Sequence, residues 1–361
     1  MLSLLVFLFI LGILIMVHEF GHFIVSKKMG VRVERFALGF GPKLFSWARN
    51  GTEYSVRMIL LGGYVKLAGD NLEEFKNKPD DFLSQPIHKR LKIIASGPIV
   101  NYLMGILFFW LIFFVGFPSL TTKVGATLDN FGGKEAGIRV GDKITQVDGK
   151  EVNYWEDLQK AIYNRQDKSR VDIKLIRDGQ ELNFAVNIKE ESFTDIFGQK
   201  KNMGLIGISP QDEIVKVRHG FVQSFFLGIQ KTANLTALTY KALWYIITGR
   251  LSLKESMTGP LGMFYITSKA VNMGLVALLH LMAVLNINLA IFNLLPIPAL
   301  DGGHIFLLGV EKVRGKYLSQ KVEEVFVRFG FTMLILLAAV IFFNDLSRFG
   351  VFDKLSKFLF R

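Results

Sequence analysis

Residues 2–28 read LSLLVFLFILGILIMVHEFGHFIVSKK, and Leu2–Val17 carries no charge. A helix that crosses a bilayer needs about 20 predominantly apolar residues. Leu2–Val25 meets that length only if His18-Glu19-Phe20-Gly21-His22 lies inside the apolar span. A secretory signal is the rival reading of such a start. It requires a basic leading segment and a small-residue cleavage site, whereas here the apolar run leads into HEFGH. The stretch is therefore expected to be a retained transmembrane helix.

On a helix, positions i and i+4 share one face, so the imidazoles of His18 and His22 converge on one point. Glu19 is offset by about 100° around the axis, near enough to reach a water beside a metal without itself being a ligand. Ionisable groups are costly in a span and usually functional. An unpaired carboxylate there tends to take up a proton, and a divalent cation gives it a reason to stay charged.

The composition narrows the rest. Half of the 361 residues are hydrophobic and the formal net charge is +12. The Lys and Arg flank apolar segments, as at the cytoplasmic side of a bilayer, so the positive balance points to a lipid surface and no nucleic acid is expected. There is no cysteine. Disulfides and thiolate metal sites are excluded, and any metal must be held by His, Asp or Glu.

Three further stretches are long and apolar enough to span: Ile93–Phe117, Leu275–Leu295 and Val325–Phe343. The loop Lys27–Lys92 is rich in Lys and Arg, which places it in the cytoplasm and the N-terminus outside. Residues 118–270 are then extracytoplasmic, and the third span returns to the cytoplasmic side. Lys354, Lys357 and Arg361 fit poorly with an outside C-terminus. Phe221–Thr248 is also apolar, but Lys231, Asn234 and Lys241 interrupt it, so an interfacial amphipathic helix is expected.

These readings divide the chain into residues 1–117 (two spans, a cytoplasmic loop and the HEFGH site), 118–195 (a polar β-rich insert), 196–270 (a linker with the interfacial helix) and 271–361 (two spans). Within the cytoplasmic loop, Thr52–Met58 and Gly62–Leu67 alternate polar and apolar residues around Gly62-Gly63, which predicts a membrane-associated β-hairpin. Such a hairpin is either an ordinary soluble one or an edge that pairs with an extended substrate. In the insert, Gly137-Ile138-Arg139-Val140-Gly141-Asp142, the strand Lys143–Val147, the turn Asp148-Gly149, a helix near Trp155–Ile162 and strands around Asp178-Gly179 follow in an order that resembles a PDZ domain. Most such domains bind peptides.

A tetrahedral catalytic zinc needs a third protein donor and an open position. Asp301 supplies the acidic group at the end of the third span, just after Leu294-Leu295-Pro296-Ile297-Pro298-Ala299-Leu300. At 1.5 Å per residue, His18 lies about 24 Å along the first span, in the same cytoplasmic half as Asp301. The two prolines free backbone carbonyls, tolerated at membrane depth only beside protein or a wet cavity. Two other readings stand at this point: Asp301-Gly302 as a simple turn, and His304 as a rival donor.

HEFGH in the first span, with Asn293 and the Pro296-Ile297-Pro298-Ala299-Leu300-Asp301-Gly302 run in a later one, resembles the site-2 protease family of intramembrane zinc metalloproteases. The single PDZ-like insert looks like its bacterial RseP-type branch. Gly39-Phe40-Gly41-Pro42, Leu61-Gly62-Gly63-Tyr64-Val65 and Ser96-Gly97-Pro98-Ile99-Val100-Asn101 are similar to that branch too. The resemblance implies that His18, His22 and Asp301 bind Zn2+ and that Glu19 is the general base. It implies that Asn293 holds substrate or the tetrahedral intermediate, and that the hairpin near Tyr64 and Val65 engages unwound substrate. It also implies single-span membrane proteins as substrates (anti-sigma factors or signal-peptide remnants), trimmed beforehand by another protease, in the bacterial inner membrane. A peptide ligand of the insert is a further expectation. Two rivals belong to other classes: a membrane metal transporter, which leaves Glu19 and the insert without a role, and an inert PDZ scaffold, which leaves the complete metal motif without one.

Overall fold

The computed structural model describes residues 2–163, 169–194, 199–252 and 257–350. The chain forms two compact units: residues 1–112, 222–241 and 252–361, and residues 113–221 with 242–251. Lys354, Lys357 and Arg361 lie outside the described residues.

The first unit opens with helix α1 (Leu2–Lys28), which ends in the basic pair Lys27 and Lys28. Strands β1 (Val33–Arg49) and β2 (Thr52–Leu67) follow and pair antiparallel. Their turn is Asn50-Gly51, with φ of +50° and +73°, the left-handed pair that two-residue hairpins require. This corrects the expected hairpin about Gly62-Gly63. The segments on either side of those glycines do not pair with each other, because both are registered on β1: Leu38 lies opposite both Val56 and Gly63, and Phe36 opposite both Tyr54 and Val65. Residues 33–38 thus run between 53–56 and 63–67, and among the described residues 63–67 has no strand on its other side.

Helix α2 (Ile87–Val115) is the second long apolar helix. It meets α1 where Gly21 lies against the Ser96–Gly97 backbone. A Cβ on Gly21 would lie 2.6 Å from the Ser96 carbonyl oxygen and 3.0 Å from Gly97 Cα. Without a hydrophobic drive between helices in lipid, such close backbone approach is what packs them.

The second unit begins after α2 with β3 (Phe117–Leu120) and β4 (Val124–Thr127). The turn α3 (Gly132–Glu135), β5 (Lys143–Val147), β6 (Lys150–Glu151) and helix α4 (Trp155–Tyr163) come next. Then follow β7 (Arg170–Arg177), β8 (Gln180–Asn187), β9 (Lys189–Thr194), β10 (Lys200–Leu205), β11 (Ile208–Pro210) and β12 (Ile214–Val217). The central sheet has the order β6-β5-β7-β8. Alternation decides its buried face: Val171, Ile173 and Leu175 point inward from β7, and α4 covers them with Trp155, Leu158 and Ile162 at helical spacing. Each such buried side chain contributes about 1.5–3 kcal/mol. The insert does not stop at residue 195. Ile206 sits in its core, β11 pairs with β4, and β12 pairs with β3, so the two ends of the insert are stitched together.

Helix α5 (Phe221–Ile247) covers the stretch expected to be interfacial. Within the first unit its small residues face α2: a Cβ on Gly228 would lie 2.9 Å from Trp110 N, and Thr236 hydrogen-bonds Tyr102 at 3.0 Å. Phe225, Phe226 and Ile229 are exposed.

The chain then forms α6 (Pro260–Met273), α7 (Leu275–Leu294), α8 (Asp301–Arg314) and α9 (Gln320–Arg348). Helices α1, α2, α7 and α9 are each long and apolar enough to cross a membrane, matching the four expected spans. The chain is a multi-span helical membrane protein with a β-rich insert. Helices α2 and α7 close up at Gly105, which lies against Ile287 and the Ala283 carbonyl.

Candidate metal centre and active site

Five helices (α1, α2, α7, α8 and α9) and the edge of the β1–β2 sheet meet around one cavity of about 500 Å³. From α1, His18 and His22 project one turn apart, with their Nε2 atoms 3.2 Å from each other. Helix α8 begins at Asp301, which faces both rings: Oδ2 lies 3.0 Å from His18 Nε2, and Oδ1 lies 3.6 Å from His22 Nε2. One donor atom from each of the three falls within 4.8 Å of the others. Among the described residues this is the His, Cys, Asp and Glu group of a size to hold an ion. His304 lines the same cavity without joining it.

The break between α7 and α8 places Asp301. Pro296 and Pro298 cannot donate to a helical ladder, and Ala299 takes a left-handed φ of +71°. The helix restarts at once, with His304 N donating to the Leu300 carbonyl at 3.2 Å. Gly303 allows the new turn to fold back, since a Cβ there would meet Pro298 Cα at 3.0 Å. The Asp301 carboxylate consequently sits in the first turn of α8, where the helix dipole favours an anion.

Two backbone arrangements from α2 complete the pocket. The Ile93 carbonyl accepts a hydrogen bond from His22 Nδ1 at 2.9 Å. Gly97 lies directly beneath the rings: a Cβ on it would overlap His22 Nε2 and lie 2.8 Å from His18 Nε2. Asn101, fully buried, brings Nδ2 to 3.3 Å from His18 Nδ1.

Glu19 faces the sheet rather than the three donors. Its carboxylate reaches the Val65 amide, and its Cγ would be 3.4 Å from a Cβ on Gly63. Tyr64 and Val65 line the cavity. The Tyr64 hydroxyl accepts a hydrogen bond from Arg57 at 2.8 Å, and its ring stacks on Phe40. Asn293, near the end of α7, lies 3.5 Å from His18 Nδ1 and 3.4 Å from Nε2. Those nearly equal distances put its amide in line with neither nitrogen.

The donor set suits zinc. It is two imidazoles and a carboxylate in a thiol-free protein, the combination a catalytic site uses while keeping one position open. Asp301 Oδ2 is buried and has no hydrogen-bond partner among the described residues, although it faces His18 Nε2. Buried oxygens left in that state are exceptional, and a cation between the three groups would satisfy this one.

A model of peptidase family M50 matches residues 6–337. The chain belongs to peptidase family M50. The regulator of sigma-E protease RseP of Escherichia coli is 30% identical to it, across 95% of this chain and 98% of that one. The regulator of sigma-W protease RasP of Bacillus subtilis is 28% identical across 95% and 97%, and the zinc metalloprotease RasP of Oceanobacillus iheyensis 28% across 95% and 98%. Among solved structures, the PDZ domain of an SdrC-like protein from Listeria monocytogenes covers 25% of this chain and 86% of its own, at 19% identity and a TM-score of 0.21. The chain is thus a zinc metalloprotease of the RseP-type branch; a transporter leaves Glu19 and the insert without a role, and an inert scaffold leaves the complete metal motif without one.

Sequence reasoning missed three contributors. The Ile93 carbonyl, the Gly97 floor and the Asn101 amide all come from α2, and only the motif similarity around Ser96–Asn101 marked the place.

Proposed function

We propose that the protein hydrolyses a peptide bond within or beside the transmembrane segment of single-span membrane proteins. The supporting observation is the convergence of His18, His22 and Asp301 within 4.8 Å, inside apolar helices and beside the open strand edge 63–67. In this reading His18 and His22 hold zinc through Nε2 and Asp301 holds it through its carboxylate. When bound, zinc supplies a Lewis acid that polarises the scissile carbonyl and acidifies water.

Glu19 accepts the proton of the attacking water and hands it to the leaving nitrogen. Asn293, poised above the His18 ring, donates to the oxygen that gains charge. A bond within an intact helix has its carbonyl already hydrogen-bonded and wrapped by side chains, so the substrate must unwind locally. Residues 63–67 offer a template for the extended form, with Val65 and Tyr64 pairing to it by strand addition.

The relatives named as regulators of sigma-factor proteases favour anti-sigma factors or signal-peptide remnants as substrates, already trimmed by another protease. The Lys- and Arg-rich segment 27–92 favours the bacterial inner membrane with that segment cytoplasmic, and the N-terminus and the peptide-binding, PDZ-like insert outside.

The test is cleavage of a single-span reporter by the purified protein in detergent, with Glu19→Gln alongside. Cleavage by the wild type, with a drop of about 10²–10⁴-fold in Glu19→Gln at unchanged zinc content, is expected. Equal cleavage by both would remove Glu19 from the chemistry.

A further inference from the structure

We infer that Asn101 is a positioning residue for the metal centre: its side-chain oxygen accepts a hydrogen bond from His18 Nδ1–H and thereby presents Nε2 to the metal. This rests on the metal-centre reading given under Proposed function.

An imidazole that offers Nε2 to a cation carries its proton on Nδ1, and that N–H needs an acceptor to fix the tautomer and the ring. His22 meets the requirement with the Ile93 carbonyl at 2.9 Å. Among the described residues His18 has no such carbonyl: the polar groups on its Nδ1 are the amides of Asn101 at 3.3 Å and Asn293 at 3.5 Å. Asn293 is shared with Nε2 at 3.4 Å, so it lies along neither lone pair. Asn101 remains.

As oriented, Asn101 turns Nδ2 to His18, which suits the opposite tautomer and would leave Nε2 protonated. That orientation also leaves Asn101 Oδ1 buried with no hydrogen-bond partner among the described residues. A half-turn of the amide exchanges two atoms of nearly equal size within the same volume. It delivers Oδ1 to Nδ1–H, gives the orphaned oxygen a partner and frees Nε2. The buried orphan and the tautomer demanded at Nε2 point to the same rotation. The amide is fully buried in a span, where a polar side chain without a purpose is costly.

The experiment compares zinc retention by wild type, Asn101→Leu and Asn101→Asp, purified in detergent and dialysed against graded chelator. Zinc is read by mass spectrometry, and the His18 tautomer by its ring ¹⁵N shifts. Leu keeps the volume and removes the acceptor; Asp keeps the acceptor and shape. Asn101→Leu should bind zinc about 10–100-fold more weakly, with the Nδ1–H signature lost, while Asn101→Asp stays within a few-fold of wild type. Wild-type retention in the Leu variant would overturn the assignment, and so would equal loss in Leu and Asp, which marks a packing role. Absence of zinc from the wild type would instead defeat the metal-centre reading itself.

Discussion

His22 donates from Nδ1 to the carbonyl oxygen of Ile93 at 2.9 Å, and this bond decides which ring nitrogen faces Asp301. A carbonyl can only accept, so the proton is on Nδ1 and the Nε2 lone pair is free. Pro98 lies one turn further along α2 and removes the amide that would otherwise meet the Ile94 carbonyl. The backbone of one helix is in this way part of the metal centre of another.

The floor of that centre admits no side chain. In Gly97→Ala, the added carbon would press on His18 Nε2 and His22 Nε2, and relief requires α1 and α2 to part from their close contact at Gly21 and Ser96. Zinc affinity should fall on the order of 10- to 100-fold, the range seen when groups supporting a ligand are disturbed. Chelator competition followed by metal analysis measures it, and a variant that keeps its zinc would show that the helices can part.

Strand addition predicts the effect of Val65→Pro. Proline removes the Val65 amide, which the Glu19 carboxylate reaches until an added strand takes it, one hydrogen bond of about 1–3 kcal/mol when lost from a buried pairing. Reporter cleavage should slow by about 10–100-fold while zinc content holds. Unaltered cleavage would mean that substrate does not use this edge.

Away from the cavity floor, Arg90 and Glu311 join α2 to α8. The guanidinium is 3% exposed, pairs with both carboxylate oxygens and lies under the Tyr317 ring. In Arg90→Met a carboxylate is left largely buried without its partner, at a cost of about 3–5 kcal/mol. Thermal unfolding in detergent should register it. The double variant Arg90→Met, Glu311→Gln should recover part of the loss, as expected of a coupled pair.

In the insert, Asp142 makes stability depend on acid. Burial opposes its ionisation, but Arg177, at 2.7 Å from both carboxylate oxygens, and the Arg139 amide at 2.8 Å outweigh that and hold the group below the usual carboxylate range. The contribution is therefore complete above the unfolded value, about 3.9, and is lost as pH falls through the lower folded value. Hydrogen exchange of β7 in the full chain, corrected for intrinsic rates, should show constant protection from about pH 5 to 7 and a decline below about 4. In Arg177→Met the buried carboxyl favours its proton, so protection should instead decline as pH rises.

The four spans were legible because length and absence of charge act locally, and the His18–Glu19–His22 face because helical spacing does. What depended on distant pairing was less so. The alternation on either side of Gly62-Gly63 suggested a turn there, while Asn50-Gly51, the dipeptide that makes one with both φ positive, drew no notice. Gly63 serves close approach instead, since a Cβ on it would lie 2.8 Å from the Ala37 carbonyl. The insert ran past residue 195 because β11 and β12 are too short to show a period and gain their stability from β4 and β3, far back in the chain. Asn101 stood in the Ser96–Asn101 run similar to the RseP-type branch, but only the fold sets His18 beside it.

Helix α9 contributes no donor to the cavity's metal group, and most of its apolar side chains are exposed. Gly330 nevertheless abuts Pro298 so closely that a Cβ there would overlap the prolyl ring and carbonyl. The last span is thus a buttress for the interrupted segment that aims Asp301. A chain shortened to end at Gly315 would retain every ligating atom yet lose the wall against which its third ligand is braced, so the smallest working catalytic body is larger than the set of helices that touch the metal.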